Sequence, residues 1–256
     1  MSDYKIVIPA RYASSRLPGK PLIELAGKPM IQHVYERAVE TGVQDIVIAT
    51  DDARIESAAC DFGADVMMTS PDHENGTERI AEVAKARQWS EDTIVVNLQG
   101  DEPLIPRSLI ESTAQSLIEH PQAGMSSVCT ALRSDRDVFD PNVVKVVLDR
   151  LGFALYFSRA SIPWDRDSYR DQPGIKTTQM PVYRHIGMYG YRVSFLDEYS
   201  AMTTCALETT ECLEQLRALW YGVKIHMAVI DSAPGHGVDT PEDVVRVEQA
   251  LAQLLS

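Results

Sequence analysis

Three stretches of this chain carry residue types whose spacing suits phosphate chemistry. The first runs Pro9-Ala10-Arg11-Tyr12-Ala13-Ser14-Ser15-Arg16-Leu17-Pro18-Gly19-Lys20-Pro21-Leu22 and puts the cations Arg11, Arg16 and Lys20 within ten residues. Arginine meets phosphate oxygens through a planar fork, whereas lysine acts as a mobile point charge. Gly19 and the small Ala and Ser residues let backbone N–H groups approach an anion. The bland alternative is a solvated basic loop, but Gly19 and two prolines shaping the backbone favour phosphate binding. The stretch lacks G-x-x-x-x-G-K-S/T and G-x-G-x-x-G, which argues against a P-loop NTPase and a dinucleotide dehydrogenase.

The second stretch is Gln99-Gly100-Asp101-Glu102-Pro103, behind the apolar run Thr93 to Leu98. A carboxylate just past a buried strand suits Mg²⁺, which takes one or two carboxylates plus phosphate oxygens and water. Gly-Asp after a strand is also an ordinary turn, so Asp101 needs a second carboxylate. Gly237-Val238-Asp239-Thr240-Pro241-Glu242-Asp243 supplies Asp239. On local pattern alone, capping comes ahead of metal binding there, because Asp239 or Thr240 before Pro241 makes a good helix start.

The elements around these stretches alternate strand and helix. Tyr4 to Pro9, Ile46 to Thr50, Ala64 to Thr69 and Thr93 to Leu98 read as strands. Helical spacing covers Met30 to about Gly42, the segment after Asp51 and Asp52 to about Gly63, and Thr77 to Gln88. This predicts parallel βαβ units in an open, Rossmann-like α/β sheet with helices on both faces, whose ligands sit at the carboxyl ends of the strands. After about residue 125 the rhythm changes. Val143 to Leu148, Ala154 to Phe157 and Arg184 to Arg192 read as a smaller antiparallel region, with a long loop at about 163–181. Leu207 to Trp220 reads as one helix, Val223 to Ile230 as a strand and Pro241 to Leu255 as a closing helix. The whole is expected to be one domain over residues 1–256.

Composition sets the outer limits. With 45% apolar and 24% charged residues, the 256-residue chain has ample core material. Its net charge of −13 argues against general nucleic-acid binding, and a basic loop in an acidic envelope would focus a small anion. No run approaches the ~20 apolar residues of a spanning helix, so the chain reads as cytoplasmic, with no membrane partner. Cys60, Cys129, Cys205 and Cys212 show no paired spacing and read as reduced, mostly packed thiols. His33, His120, His226 and His236 read as surface or helix positions, and Trp164 and Trp220 as packing. Ser14-Ser15 lacks the setting of a serine nucleophile.

Taken together, VIPARYASSRLPGKPL, ATDD, NGTER, VVNLQGDEPLI, PNVVKVV, ALYFSRASIPWDRD, RHIGMYGYR, LEQLRALWYG and GVDTPEDV resemble the 3-deoxy-manno-octulosonate cytidylyltransferase (CMP-Kdo synthetase) family, from about Ile6 to Val247. The opening loop and QGDEP alone indicate a sugar nucleotidyltransferase; the later segments narrow it to this family. The resemblance implies a homodimer that transfers CMP from CTP to the acidic sugar Kdo, releasing pyrophosphate, for lipopolysaccharide synthesis. By the same resemblance Arg11, Arg16 and Lys20 hold the triphosphate, and Asp101 and Asp239 hold Mg²⁺. Ala10, Arg11, Asn75, Gly76, Arg79 and Gln99 lie near the nucleotide, with Asn75 standing where Ser is usual. Gln99, Arg159, His185, Glu214 and Gln215 fall to the sugar. Arg159 suits the Kdo carboxylate on physical grounds. His185, inside an apolar strand, equally fits a satisfied core histidine, and adjacent Glu214 and Gln215 cannot share one helix face. The alternatives are a cytidylyltransferase for 8-amino-Kdo or sialic acid, and a nucleotide-binding protein without catalysis.

Overall fold

A computed structural model describes residues 4–13, 17–169, 181–231, 235 and 237–254. Arg16, His236, the Ser14-Ser15 pair and most of the long loop expected at 163–181 lie outside these residues. The chain divides into two compact units, one of residues 1–114, 190–200 and 234–256, the other of 115–189 and 201–233.

The first unit is built on a parallel sheet. β1 (Tyr4–Ala10) pairs with β4 (Ile46–Thr50) and β6 (Ile94–Asn97), and β4 pairs with β5 (Asp65–Met68). Every residue of β4 and β6 is buried, so both faces of these strands are covered, as β-branched runs in a parallel sheet require. The covering helices are α1 (Met30–Val39), α2 (Ala53–Asp61) and α3 (Gly76–Ala86). Asp52 and Asn75 cap α2 and α3, their side chains accepting from the N–H groups of Arg54 and Glu78. The loop after β1 is more structured than its Gly/Pro content suggests. It holds a 3₁₀ turn at Lys20–Leu22 and a hairpin of β2 (Glu24–Leu25) and β3 (Lys28–Pro29). Leu25 and Met30 form a core cluster with Val238 and with Val247 and Leu251 of the closing helix α9 (Pro241–Leu254). That cluster carries the segment before α9 back to the β1 loop.

In the second unit β7 (Met125–Ala131) runs parallel to β11 (Ile225–Ile230). β8 (Lys145–Leu148) pairs antiparallel with β9 (Ala154–Ser158) and with β10 (Tyr183–Arg192), whose last residues belong to the first unit. The antiparallel region is thus where the loss of rhythm places it. The periodicity reading contains neither β7 nor α4 (Arg107–Glu119). Ser126 and Ser127 break the apolar run of β7, yet both are fully buried. α5 (Asp135–Phe139) and α6 (Val193–Tyr199) are short.

The helix expected over Leu207–Trp220 is two helices, α7 (Ala206–Glu211) and α8 (Gln215–Trp220). Cys212 between them is left-handed (φ +52°), which ends α7 and buries Leu213. Three other expectations are corrected. Trp164 and Trp220 are each 58% exposed rather than packed, although Trp164 meets Tyr169 edge-on. Only two cysteines, Cys129 and Cys205, are buried; Cys60 and Cys212 are exposed, and all four are free. His33 does lie on a helix, α1, though buried with Nε2 2.7 Å from the Leu25 carbonyl, whereas His226 lies on β11, stacked on His120.

Candidate active site

The charged residues of the first unit gather where its strands end. Ala10 is the buried last residue of β1, and Arg11 leaves the sheet directly after it. The Arg11 guanidinium donates to the carbonyls of His73, Glu74 and Asn75, the latter two at 3.3 Å. Partial burial, then the neighbouring Arg79, lower the Arg11 pKa. Those carbonyls belong to the loop before α3, which is tied by a reciprocal box. The Asn75 side chain accepts from Glu78 N–H at 2.9 Å and donates to the Glu78 carboxylate at 3.0 Å. The polar ends of Asn75 are therefore occupied in capping. Gly76 opens α3 with its α-carbon face against the Pro9 ring.

Arg79 lies wholly inside the protein. Its guanidinium donates to the Asp51 carboxylate at 2.6 Å and to the Thr69 hydroxyl. The motifs ATDD and NGTER thus meet through a buried ion pair, which props the loop that Arg11 grips. Nothing in local spacing indicates that pairing, because Asp51 and Arg79 come from different βα connections.

Lys20, Asp101 and Asp239 converge although they are far apart in sequence. Lys20 Nζ is 2.6 Å from Asp101 Oδ2 and 3.1 Å from Asp239 Oδ1. The segments are locked by Val238 N–H donating to the Asp101 carbonyl at 2.9 Å. Gly237 permits this approach, since a β-carbon there would lie 3.1 Å from that carbonyl oxygen. The capping contacts beside Asp239 are made by its neighbours. Asp243 accepts from the N–H groups of Asp239 and Thr240, and from the Thr240 hydroxyl, at 3.0 to 3.1 Å. Thr240 and Asp243 start α9 between them, and the Asp239 carboxylate turns to Lys20.

Glu102 is a further member that the motif reading passes over, although it stands next to Asp101. Burial, then Asp101 and Asp239, push its carboxyl up to about 7. Three acids around one lysine leave surplus negative charge, which a hard cation would relieve. Asp101 and Asp239 therefore fit magnesium by donor type and by local charge. Among the described residues no three carboxylate, His or Cys groups form a ready cage, so a magnesium ion here would need phosphate oxygens and water as well. Gln99 sits at the exit of β6, two residues before Asp101.

The residues assigned to the sugar lie in the second unit, apart from Gln99. Arg159 follows β9, and its Nε and Nη1 donate to the carbonyls of Glu211 (2.7 Å) and Pro141 (3.0 Å). Glu211 also receives the Arg159 N–H and the Ser158 hydroxyl. Lys145, fully buried, donates to the carbonyls of Asp140, Val143 and Arg159 at 2.6 to 2.9 Å. His185 is buried with Nε2 2.9 Å from the Ser127 hydroxyl and Nδ1 3.5 Å from the Gln215 amide. Burial drives its pKa down to about 3, so it is neutral. Gln215 is itself buried and accepts from the Tyr189 hydroxyl at 3.2 Å. Glu214 directly precedes α8 and is half-buried, so the two neighbours sit in different settings.

With this geometry in hand, known proteins supply the family. A cytidylyltransferase family model matches residues 5–225. The 3-deoxy-manno-octulosonate cytidylyltransferase of Aliivibrio fischeri strain MJ11 is 54% identical over 251 residues, covering 98% of this chain and all of its own. The chain belongs to the 3-deoxy-manno-octulosonate cytidylyltransferase family. The enzyme of that name from Thioalkalivibrio sulfidiphilus is likewise 54% identical, over 97% of this chain and 99% of its own. A solved CMP:2-keto-3-deoxy-manno-octonic acid synthetase, complexed with CTP, superposes with a TM-score of 0.89 at 42% identity, covering 98% of this chain and 99% of its own. A cytidylyltransferase from Leptospira borgpetersenii, at 17% identity and a TM-score of 0.63, shares the fold. Family membership makes the chain a nucleotidyltransferase, and no described helix is long and apolar enough to cross a membrane.

Proposed function

We propose that the chain transfers CMP from CTP to the anomeric hydroxyl of Kdo, releasing pyrophosphate, with Mg²⁺ as cofactor. The observation that carries this reading is Lys20 held between Asp101 and Asp239 at the end of the parallel sheet. Arg11 and Lys20, with Arg16 of the same loop, bind the triphosphate and offset charge on the departing pyrophosphate. Lys20 exchanges carboxylate oxygens for phosphate oxygens as CTP enters. Asp101 and Asp239 would hold magnesium, which would supply positive charge against the triphosphate and acidity for the attacking hydroxyl. Ala10, the 75–76 segment and Gln99 line the nucleotide, and Arg79 supports that segment from inside.

Arg159 is the partner for the sugar carboxylate. Its carbonyl partners orient the guanidinium without neutralising it. His185, being neutral, supplies a hydrogen bond and orients Gln215 rather than adding charge, with Glu214 beside it. We read the two units as one catalytic domain, active as a homodimer in the cytoplasm and feeding lipopolysaccharide synthesis.

The test is pyrophosphate release from CTP and Mg²⁺, with and without Kdo, with UTP, ATP and sialic acid as controls. Release requiring CTP, Kdo and metal supports the assignment. Turnover with another acidic sugar alone moves the substrate, and CTP binding without release favours a non-catalytic protein.

A further inference from the structure

Arg54 has no role in the site so far, yet it touches the phosphate loop. Its guanidinium carbon stands 3.3 Å from the centroid of the Tyr12 ring. The same guanidinium is gripped by Asp52, with Nε 2.9 Å from Oδ1 and Nη2 2.6 Å from Oδ2. Asp52 is in turn fixed as the cap of α2, where it accepts the Arg54 N–H at 2.9 Å. A flexible cation is thereby held over an aromatic face, where the ring quadrupole attracts it.

The phenol end of Tyr12 meets Gly19. A β-carbon on Gly19 would lie 3.0 Å from Tyr12 Cζ and 3.1 Å from its hydroxyl oxygen. Gly19 has φ +70° and donates its N–H to the Tyr12 carbonyl at 2.9 Å. Tyr12 thus closes the base of the loop through its ring and its backbone together. Arg11 directly precedes Tyr12, and Lys20 directly follows Gly19. The bracket therefore sets the spacing between the cation that grips the 73–75 loop and the cation that lies on Asp101.

We propose that Tyr12 and Arg54 are positioning residues, a cation–π bracket anchored by Asp52 that preorganises the phosphate loop for the nucleoside triphosphate. This rests on the CTP reading above. Fixing the loop's base before the ligand arrives removes part of the ordering entropy that binding would otherwise have to meet. The bracket contributes through Arg11 and Lys20 and touches no reacting atom.

The experiment compares Arg54→Met, Tyr12→Leu, their double variant and Tyr12→Phe by steady-state kinetics, thermal unfolding and CTP calorimetry. Arg54 is an exposed side chain, so R54M tests the bracket at a position where folding is least at risk. R54M and Y12L each raise the KM for CTP about fivefold, the size of a well-formed cation–π contact. The double variant is no worse than either single, because one contact is lost in all three. Y12F keeps the ring and restores the wild-type KM, and kcat at saturating CTP stays within about twofold of wild type throughout. An unchanged KM for CTP in R54M and Y12L overturns the proposal. So does additivity in the double variant, or a change confined to the unfolding temperature. A wild type that binds CTP without turnover overturns the transfer reading and leaves the comparison of affinities to decide this one. A wild type that binds no CTP overturns both.

Discussion

Arg79 in the first unit and Lys145 in the second are both fully buried cations, satisfied in opposite ways. In the first, the Arg79 guanidinium meets the Asp51 carboxylate at 2.6 Å. In the second, Lys145 meets three backbone carbonyls at 2.6 to 2.9 Å. An ion pair cancels charge and demands that both partners stay together. A set of carbonyls orients the chain around a charge that persists, and burial accordingly lowers the Lys145 pKa. The same contrast runs through the candidate ligands. Lys20 offsets part of the charge on Asp101 and Asp239, and the cluster has charge to exchange for a triphosphate. Arg159 and His185 are aimed by neutral groups, which suits orienting a sugar. Among these candidate ligands, charge is preorganised around Lys20 and direction around Arg159 and His185.

The strongest test of that contrast is catalytic. Asp101→Ala should lower pyrophosphate release about a thousandfold, with Asp239→Ala close behind. A wild-type rate in D101A would reduce the acidic cluster to a structural partner of Lys20. On stability, Arg79→Met should destabilise the protein by about 3–5 kcal/mol, because it strands the Asp51 carboxylate largely out of water. Lys145→Met should cost less, about 1–3 kcal/mol, since it leaves carbonyls short of donors but removes a desolvated charge. Urea unfolding of the two variants side by side would break the comparison if the order reversed.

A further effect concerns pH. The folded-state pKa of His185 is about 3, against an ordinary 6.5. Above pH 6.5 neither folded nor unfolded chain holds this proton. Below it the unfolded chain binds the proton first, so stability falls as pH drops from about 6.5 toward 3, by up to about 1.4 kcal/mol per pH unit. His185→Gln should flatten that acid limb in urea titrations, and an unaltered limb would remove His185 as its source.

Much of this was legible without coordinates. Tyr4 to Pro9, Ile46 to Thr50 and Thr93 to Leu98 announce themselves because strands covered on both faces are mostly apolar. Asp52 at the start of α2 and Pro241 at the start of α9 follow local helix-end chemistry. The break at Cys212 was not legible, because Leu207 to Trp220 keeps helical spacing across a residue that turns left-handed. Nor was β7, whose buried serines conceal an interior strand. At the site, Arg11, Lys20 and Asp101 could be picked out by type and by position at strand ends. The decision at Asp239 could not, since it depends on Asp243 relieving it as the cap and on Val238 docking against Asp101.

The sequence by itself determined the alternation of strands and helices, the basic loop after the first strand and the family to which these motifs belong. Those are properties of periodicity and residue type, which act over a few positions along the chain. Only the tertiary structure decided partners. It spent Arg79 on Asp51, drew Asp239 to Lys20, neutralised His185 by burial and set Arg54 over Tyr12. Such pairings join residues from separate elements, and burial, which sets their charge, exists only once the sheet has brought them together.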